Sequence, residues 1–310
     1  MPSLRSHLFV FALKHRHLPQ GKLRRTTSVD EATDIQKLRD TVERGADFLG
    51  KLPKDFNLEP VSIGPLNAEW MLPSDVDKSQ AILYFHGGGL VVGSVHSHRG
   101  IVAKFVKQSG VAALVFDYAL APEHPYPAGL NDAVAAYNYL LKEGVQPDRI
   151  VFIGDSGGGN LCLATLLALK EQSLPMPAGA VTLSAWTDLT NSGDSWNRNA
   201  ERDTLCWKDA QTVFAKMYAG DNDPTAPLIS PLFGDLSDLP PLMMFAGEAE
   251  TFCDDTVRFA QKAEKAGVEV TYTLGDGLFH CYPACAPMFP EATAAMTEIG
   301  AFINRVLDKR

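Results

Sequence analysis

The 310-residue chain has little cysteine, a deficit of positive charge and no long apolar run. Its five cysteines (Cys162, Cys206, Cys253, Cys281 and Cys285) share no repeated pair spacing. Such a set excludes a disulfide framework and a zinc knuckle, and it suits a reducing compartment, so the expected location is cytoplasmic. Lys and Arg number 28 against 37 Asp and Glu, a net charge of −9. An acidic balance argues against nucleic acid and against an anionic membrane surface, because both select a basic footprint. No apolar stretch approaches the ~18 residues of a membrane span. The apolar run at residues 8–13 ends in Lys14, His15 and Arg16 without a small-residue cleavage site. It reads as a helix packed on the body of the protein and not as a signal peptide. Repeats and low-complexity tracts are also missing.

What remains is an ordinary globular composition, 45% hydrophobic and 21% charged, on a chain long enough for a full core. Short, largely apolar runs fall at residues 81–85, 111–116, 150–153, 180–183, 242–245 and 268–272. Runs of this kind are expected of strands covered on both faces. Helical spacing appears between them. Leu130, Val134, Tyr137 and Leu141 mark one face, closed by Gly144. Val257, Ala260 and Ala263 mark another, closed by Gly267. Residues 161–169 are apolar nearly all round, as in a buried helix. The alternation predicts an α/β fold with an open, mostly parallel sheet flanked by helices.

Two stretches depart from that alternation. Residues 1–50 are helical in character, with Thr27 and Ser28 leading into Asp30, Glu31 and then Ile35, Leu38 and Val42. Residues 188–225 are polar and irregular around Trp196, Trp207 and Phe214. An irregular insert between sheet elements, such as 188–225, is expected to cover a site opening. Residues 51–187 and 226–310 then form the two parts of the core.

Chemistry concentrates in a few loops. Gly154-Asp155-Ser156-Gly157-Gly158 is a G-x-S-x-G element that follows a predicted strand and precedes a predicted helix, the context of a nucleophile elbow. His86-Gly87-Gly88-Gly89 closes the strand at 81–85. Three consecutive glycines are entropically costly, and they leave bare N–H groups able to approach an oxyanion closely. Gly-Asp-Ser-Gly-Gly is also similar to the serine signature of trypsin-like proteases. That reading needs an all-β double barrel and disulfides, and it leaves the elbow helix unexplained. Among eight histidines, His280 lies in a loop after the last predicted strand and completes the order Ser…acid…His. His96 and His98 form an H-x-H pair with no adjoining ligand cluster. Two carboxylates compete for the acid. Glu250 lies just past the strand at 242–245, and Asp254 stands in the first turn of the following helix, where an aspartate has a structural reason to be.

From about residue 60 onward the chain resembles the hormone-sensitive-lipase-like (bacterial family IV) esterases of the α/β-hydrolase fold. Besides the two glycine motifs, the resemblance rests on Asp117-Tyr118-Ala119-Leu120-Ala121-Pro122-Glu123-His124-Pro125, Ser184-Ala185-Trp186-Thr187-Asp188-Leu189 and Ser230-Pro231-Leu232. It implies hydrolysis of short- to medium-chain acyl esters by a triad of Ser156, Glu250 and His280, with Gly88, Gly89 and Gly157 as oxyanion donors. Thirty residues separate Glu250 from His280, which fits the family interval better than the twenty-six from Asp254. The triad mechanism requires no cofactor and no metal, and the resemblance implies a helical cap folded over the pocket from residues 1–50 and the insert 188–225. The expected partner is a small-molecule ester, and a homodimer is compatible with the family. Lactone, amide or carbamate cleavage on the same triad is the alternative chemistry. A catalytically inactive small-molecule receptor would lack the histidine. Ala119 departs from the arginine usual in the family, which removes a charge expected to brace the loop.

Overall fold

The structure, a computed structural model, describes residues 2–15, 29–45, 52–54, 56–73, 77–206 and 208–308. Eight strands form one sheet in the order β1-β2-β4-β3-β5-β6-β7-β8. The first pair is a hairpin, β1 (Phe56–Ile63) and β2 (Leu66–Pro73), turning at Gly64 with φ +59°. β2 runs antiparallel to β4 (Ala112–Phe116). β3 (Ala81–Phe85), β4, β5 (Ile150–Asp155), β6 (Gly179–Leu183), β7 (Leu242–Gly247) and β8 (Val270–Gly275) are mutually parallel.

The six predicted apolar runs are β3 to β8, each within a few residues of its expected bounds. The hairpin was not anticipated. β1 is an edge strand with only one buried residue, and Asn57, Glu59 and Pro60 blunt its apolar pattern. Alternating side chains send the central strands into two cores. Leu83 and Phe85 join the core beneath α4 (Ala128–Lys142), α5 (Gly157–Glu171) and α8 (Cys253–Lys265). Ile82 and Tyr84 join the core beneath α1 (Leu4–His15), α3 (Val95–Ser109) and α9 (Pro290–Leu307). Helices on both faces of a parallel sheet satisfy the expected α/β class.

The N-terminal stretch contributes α1 and α2 (Ile35–Arg44). Asp34 caps α2 by accepting the Lys37 N–H at 3.0 Å; Thr27 and Ser28 lie outside the described residues. The polar stretch after Asp188 holds α6 (Ser195–Arg198) and α7 (Lys208–Ala219).

Candidate active site

Strand order reverses direction about β3 and β5: from β3 the chain winds outward to β4, and from β5 the opposite way to β6, β7 and β8. Loops at the carboxyl ends of strands diverge at such a switch point and leave a crevice. The loops after β3, β5, β7 and β8 carry His86–Gly89, Ser156, Glu250 and His280 respectively.

Ser156 joins β5 to α5 at φ +55° and ψ −121°, a conformation strained for a residue with a Cβ. The turn is possible because its neighbours have no side chain. A Cβ on Gly154 would lie 2.4 Å from the Gly158 oxygen, and one on Gly158 would lie 2.1 Å from the Phe85 oxygen. The strain holds Ser156 over the N-terminus of α5, where unsatisfied N–H groups and the helix dipole favour negative charge.

Beside it the glycine loop is pinned from beneath. The Asp155 carboxylate accepts the Tyr84 hydroxyl at 2.7 Å and the Gly87 N–H at 2.9 Å, and His98 Nε2 stands 3.7 Å away. Burial works against the Asp155 charge, yet His98 and Tyr84 outweigh it and hold the carboxyl below its ordinary value. His86 is fully buried and stacks on Tyr118 at 4.2 Å between centroids. Burial depresses its imidazole to about 3. Gly88 takes φ +119°, and a Cβ there would sit 2.1 Å from the Val92 oxygen. The Gly88 carbonyl is tied to the N–H groups of Val91 and Val92, which turns the loop. Among the described residues no acceptor takes the N–H of Gly88, Gly89 or Gly157, whereas that of Gly87 is spent on Asp155.

Glu250 is completely buried. Its Oε2 accepts the Ser184 hydroxyl at 2.8 Å and lies 3.6 Å from His280 Nδ1. Ser184 Oγ in turn accepts the Cys281 N–H at 2.8 Å, so one hydroxyl joins the carboxylate loop to the histidine loop. Asn199 secures the Glu250 backbone by donating to its carbonyl at 2.9 Å. Burial pushes the Glu250 carboxyl up from its ordinary value, against the pull of His280. Burial also resists charging of His280, but the neighbouring Cys206 and Cys281 leave it above its ordinary value. The Cys206 thiol is itself pushed up to about 12 by burial. Asp254 serves a different purpose. It accepts the Ser195 N–H at 2.8 Å and pairs with Arg198 at 3.1 Å, tying α6 to the start of α8.

A cavity of about 200 Å³ opens over Ser156, Gly88 and Gly89. Trp186 and Phe252 form one wall, stacked at 5.4 Å. Val29, Leu38 and Val42 come from the N-terminal stretch, and Leu205, Cys206, Gln211 and Phe214 from the insert. Of the aromatics in the 188–225 stretch, Phe214 lines the cavity alongside Trp186, and Trp196 is buried away from it. Trp207 lies outside the described residues.

Several residues that shape the site escaped the sequence reading. Asp155 was present only as the variable position of the elbow motif, and His98 only as half of an H-x-H pair. His96 faces Glu43 at 3.0 Å, so the two histidines do not converge. Asp203 accepts the Thr251 N–H at 2.9 Å and the Cys206 N–H at 3.0 Å, linking the insert to the loop of Glu250. Arg39 resolves the departure at Ala119. From α2 it donates to the carbonyls of Val91 at 2.8 Å and Ala121 at 2.9 Å and grips Glu123 at 2.7 Å. A guanidinium braces the loop after all, supplied from eighty residues earlier in the chain.

A mostly parallel sheet with helices on both faces and a strained serine between strand and helix define an α/β hydrolase. The family profile described as alpha/beta hydrolase fold matches residues 82–284. An acetyl-hydrolase of Streptomyces hygroscopicus is 37% identical over 274 residues, covering 87% of this chain and 90% of that protein. An esterase of Acinetobacter venetianus is 35% identical over 246 residues, covering 79% and 81% respectively. Among solved structures, an esterase from the bacterial hormone-sensitive lipase family superposes with a TM-score of 0.88 at 34% identity, over 99% of both chains. EstE5 soaked with p-nitrophenyl butyrate superposes with a TM-score of 0.89 at 35% identity, over 98% of this chain and 99% of the other. The chain belongs to the hormone-sensitive-lipase-like esterases of the α/β-hydrolase fold, and it is a carboxylic ester hydrolase. No described helix is long and apolar enough to cross a membrane.

Proposed function

We propose that the protein hydrolyses short- to medium-chain acyl esters through Ser156, His280 and Glu250. The observation that carries this reading is a strained serine, unpaired glycine N–H groups and a buried His–Glu pair on loops at the same carboxyl edge of one parallel sheet. His280 takes the proton of Ser156 as the hydroxyl oxygen attacks the ester carbonyl, while Glu250 orients the ring and stabilises the imidazolium. The carbonyl oxygen becomes an oxyanion held by the N–H groups of Gly88, Gly89 and Gly157. Collapse of this intermediate breaks the bond to the alkoxy oxygen, which leaves as alcohol with the proton from His280. Water, deprotonated by His280, then attacks the acyl-enzyme and releases the acid and Ser156. The 3.6 Å separation of His280 and Glu250 suits a resting site, since such contacts tighten when substrate binds.

Residues 1–50 and 188–225 serve as the cap in this reading, supported by the cavity walls they supply. A volume of about 200 Å³ with aromatic walls favours the short end of the acyl range, since drug-sized ligands occupy roughly 300–1,000 Å³. The test is a p-nitrophenyl ester series from acetate upward on wild type and Ser156→Ala. Activity is expected to peak at short acyl chains and to vanish in the variant. Hydrolysis by Ser156→Ala at the wild-type rate would refute the assignment.

A further inference from the structure

The whole-chain charge of −9 conceals a segregation. Six of the 28 Lys and Arg residues (Arg5, Lys14, Arg16, Lys22, Arg24 and Arg25) precede Asp30, and none of the 37 Asp and Glu residues does. The same stretch carries the most exposed large apolar side chains. Among the described residues six such side chains are exposed, and the top three are Leu4 at 75%, Phe11 at 61% and Leu8 at 60%, all on α1. At 100° per residue these three fall within about 60° of one another on the helix. Arg5 lies on one flank of the stripe, and His7 and Lys14 lie on the other; all three are exposed.

α1 is not a loose tail. Its opposite side buries Leu13 and sets Phe9 against Phe279 at 5.6 Å and Phe289 at 5.4 Å. Ser3 Oγ donates to Glu291 at 2.9 Å at the start of α9. The helix is thus fixed to the body with an apolar stripe outward and cations along both edges.

We propose that α1 is an interfacial helix that docks the enzyme on an anionic lipid surface. Leucine and phenylalanine enter the acyl boundary, while Arg5 and Lys14 extend to the headgroup phosphates. The excess of cationic over acidic residues before Asp30 favours a negative surface by charge alone. Nucleic acid would need the cations on the contact face itself, where this helix presents leucine and phenylalanine. Three side chains also fall far short of the roughly 20–30 residues per side of a stable protein interface.

Vesicle flotation of the full chain tests this, using phosphatidylcholine alone or mixed with phosphatidylglycerol, at low and high salt. Wild type is expected to float with the anionic vesicles, and salt should release it. The double variant Leu8→Glu/Phe11→Glu should lose at least about a hundredfold in partition. Lys14→Glu should lose about fivefold or more, on anionic vesicles only. All variants should hydrolyse a water-soluble ester at the wild-type rate, since none of these positions lines the cavity. The proposal is overturned if wild type floats with neither vesicle, or if the stripe variant floats as well as wild type. It is equally overturned if light scattering shows a dimer that the stripe substitutions split without changing flotation.

Discussion

Glu250→Gln separates the two acidic candidates with the least disturbance to shape. The replaced oxygen lies 3.6 Å from His280 Nδ1 in a site with no solvent exposure at Glu250. With an effective dielectric constant of about 20, removing one charge at that distance costs the imidazolium about 4–5 kcal/mol. That is a factor of roughly a thousand in rate. An amide can also donate to Nδ1 and hold the ring in the wrong tautomer, and neutralising the acid of a serine triad typically costs about ten-thousandfold. The expected loss in kcat/KM therefore lies between about a thousandfold and ten-thousandfold, nearly all of it in kcat. Asp254→Asn is the control. Its carboxylate pairs with the half-exposed Arg198, a contact that contributes about 1 kcal/mol at most. That variant should keep wild-type activity with a slightly lower Tm. The assay is steady-state hydrolysis of p-nitrophenyl acetate, with near-ultraviolet circular dichroism to show both variants folded. Retention of more than about a tenth of the activity by folded Glu250→Gln would refute the reasoning. So would a thousandfold loss in Asp254→Asn.

Three other outcomes follow from the same contacts. His86 is held neutral, at about 3, so between pH ~6.5 and ~3 the unfolded chain binds a proton there that the folded chain refuses. Its contribution to stability is complete above about pH 6.5 and falls by about 1.4 kcal/mol per unit as pH drops towards 3, which urea unfolding across that range will measure. A His86 imidazole that titrates near 6.5 in an NMR titration of the folded protein contradicts the burial argument. Gly88→Ala would set a Cβ 2.1 Å from the Val92 carbonyl at a φ of +119°, so the loop must shift and kcat should fall about a hundredfold or more. A kcat within a factor of two of wild type would show that the loop tolerates the shift. Arg39→Ala removes two charged hydrogen bonds to carbonyls and a partly exposed ion pair, and chemical denaturation should register a loss of about 2–4 kcal/mol. A loss below about 0.5 kcal/mol would mean that the brace is dispensable.

Much of the molecule was legible without coordinates because its signals are local. Each of β3 to β8 is a short apolar run, and the parallel arrangement follows from covering both faces of a sheet. Gly144 and Gly267 end their helical segments because a positive φ, +92° and +88° here, is open to a residue without a Cβ. The elbow was visible for the same reason: glycines mark where backbone must pass backbone. The β1–β2 hairpin was not visible, since an edge strand half in water keeps only a diluted apolar pattern. Nor was the cap of α2, where several short polar residues in succession offered equivalent capping groups and Asp34 took the role.

The chain by itself determined the class of sheet, the site of the strained serine and the identity of the glycine loop, because each depends on residues adjacent in sequence. Tertiary structure alone decided what surrounds them. It turned His98 inward to Asp155, joined Ser184 to both Glu250 and the Cys281 backbone, and brought Arg39 to the loop that Ala119 left without its own cation. It also put the apolar stripe of α1 outward by stacking Phe9 on Phe279 and burying Leu13 on the other side. Hydrogen bonds and packing act over a few ångströms of space whatever the separation in sequence. Partners sixty or eighty residues apart therefore leave no local pattern, and only the folded chain reveals them.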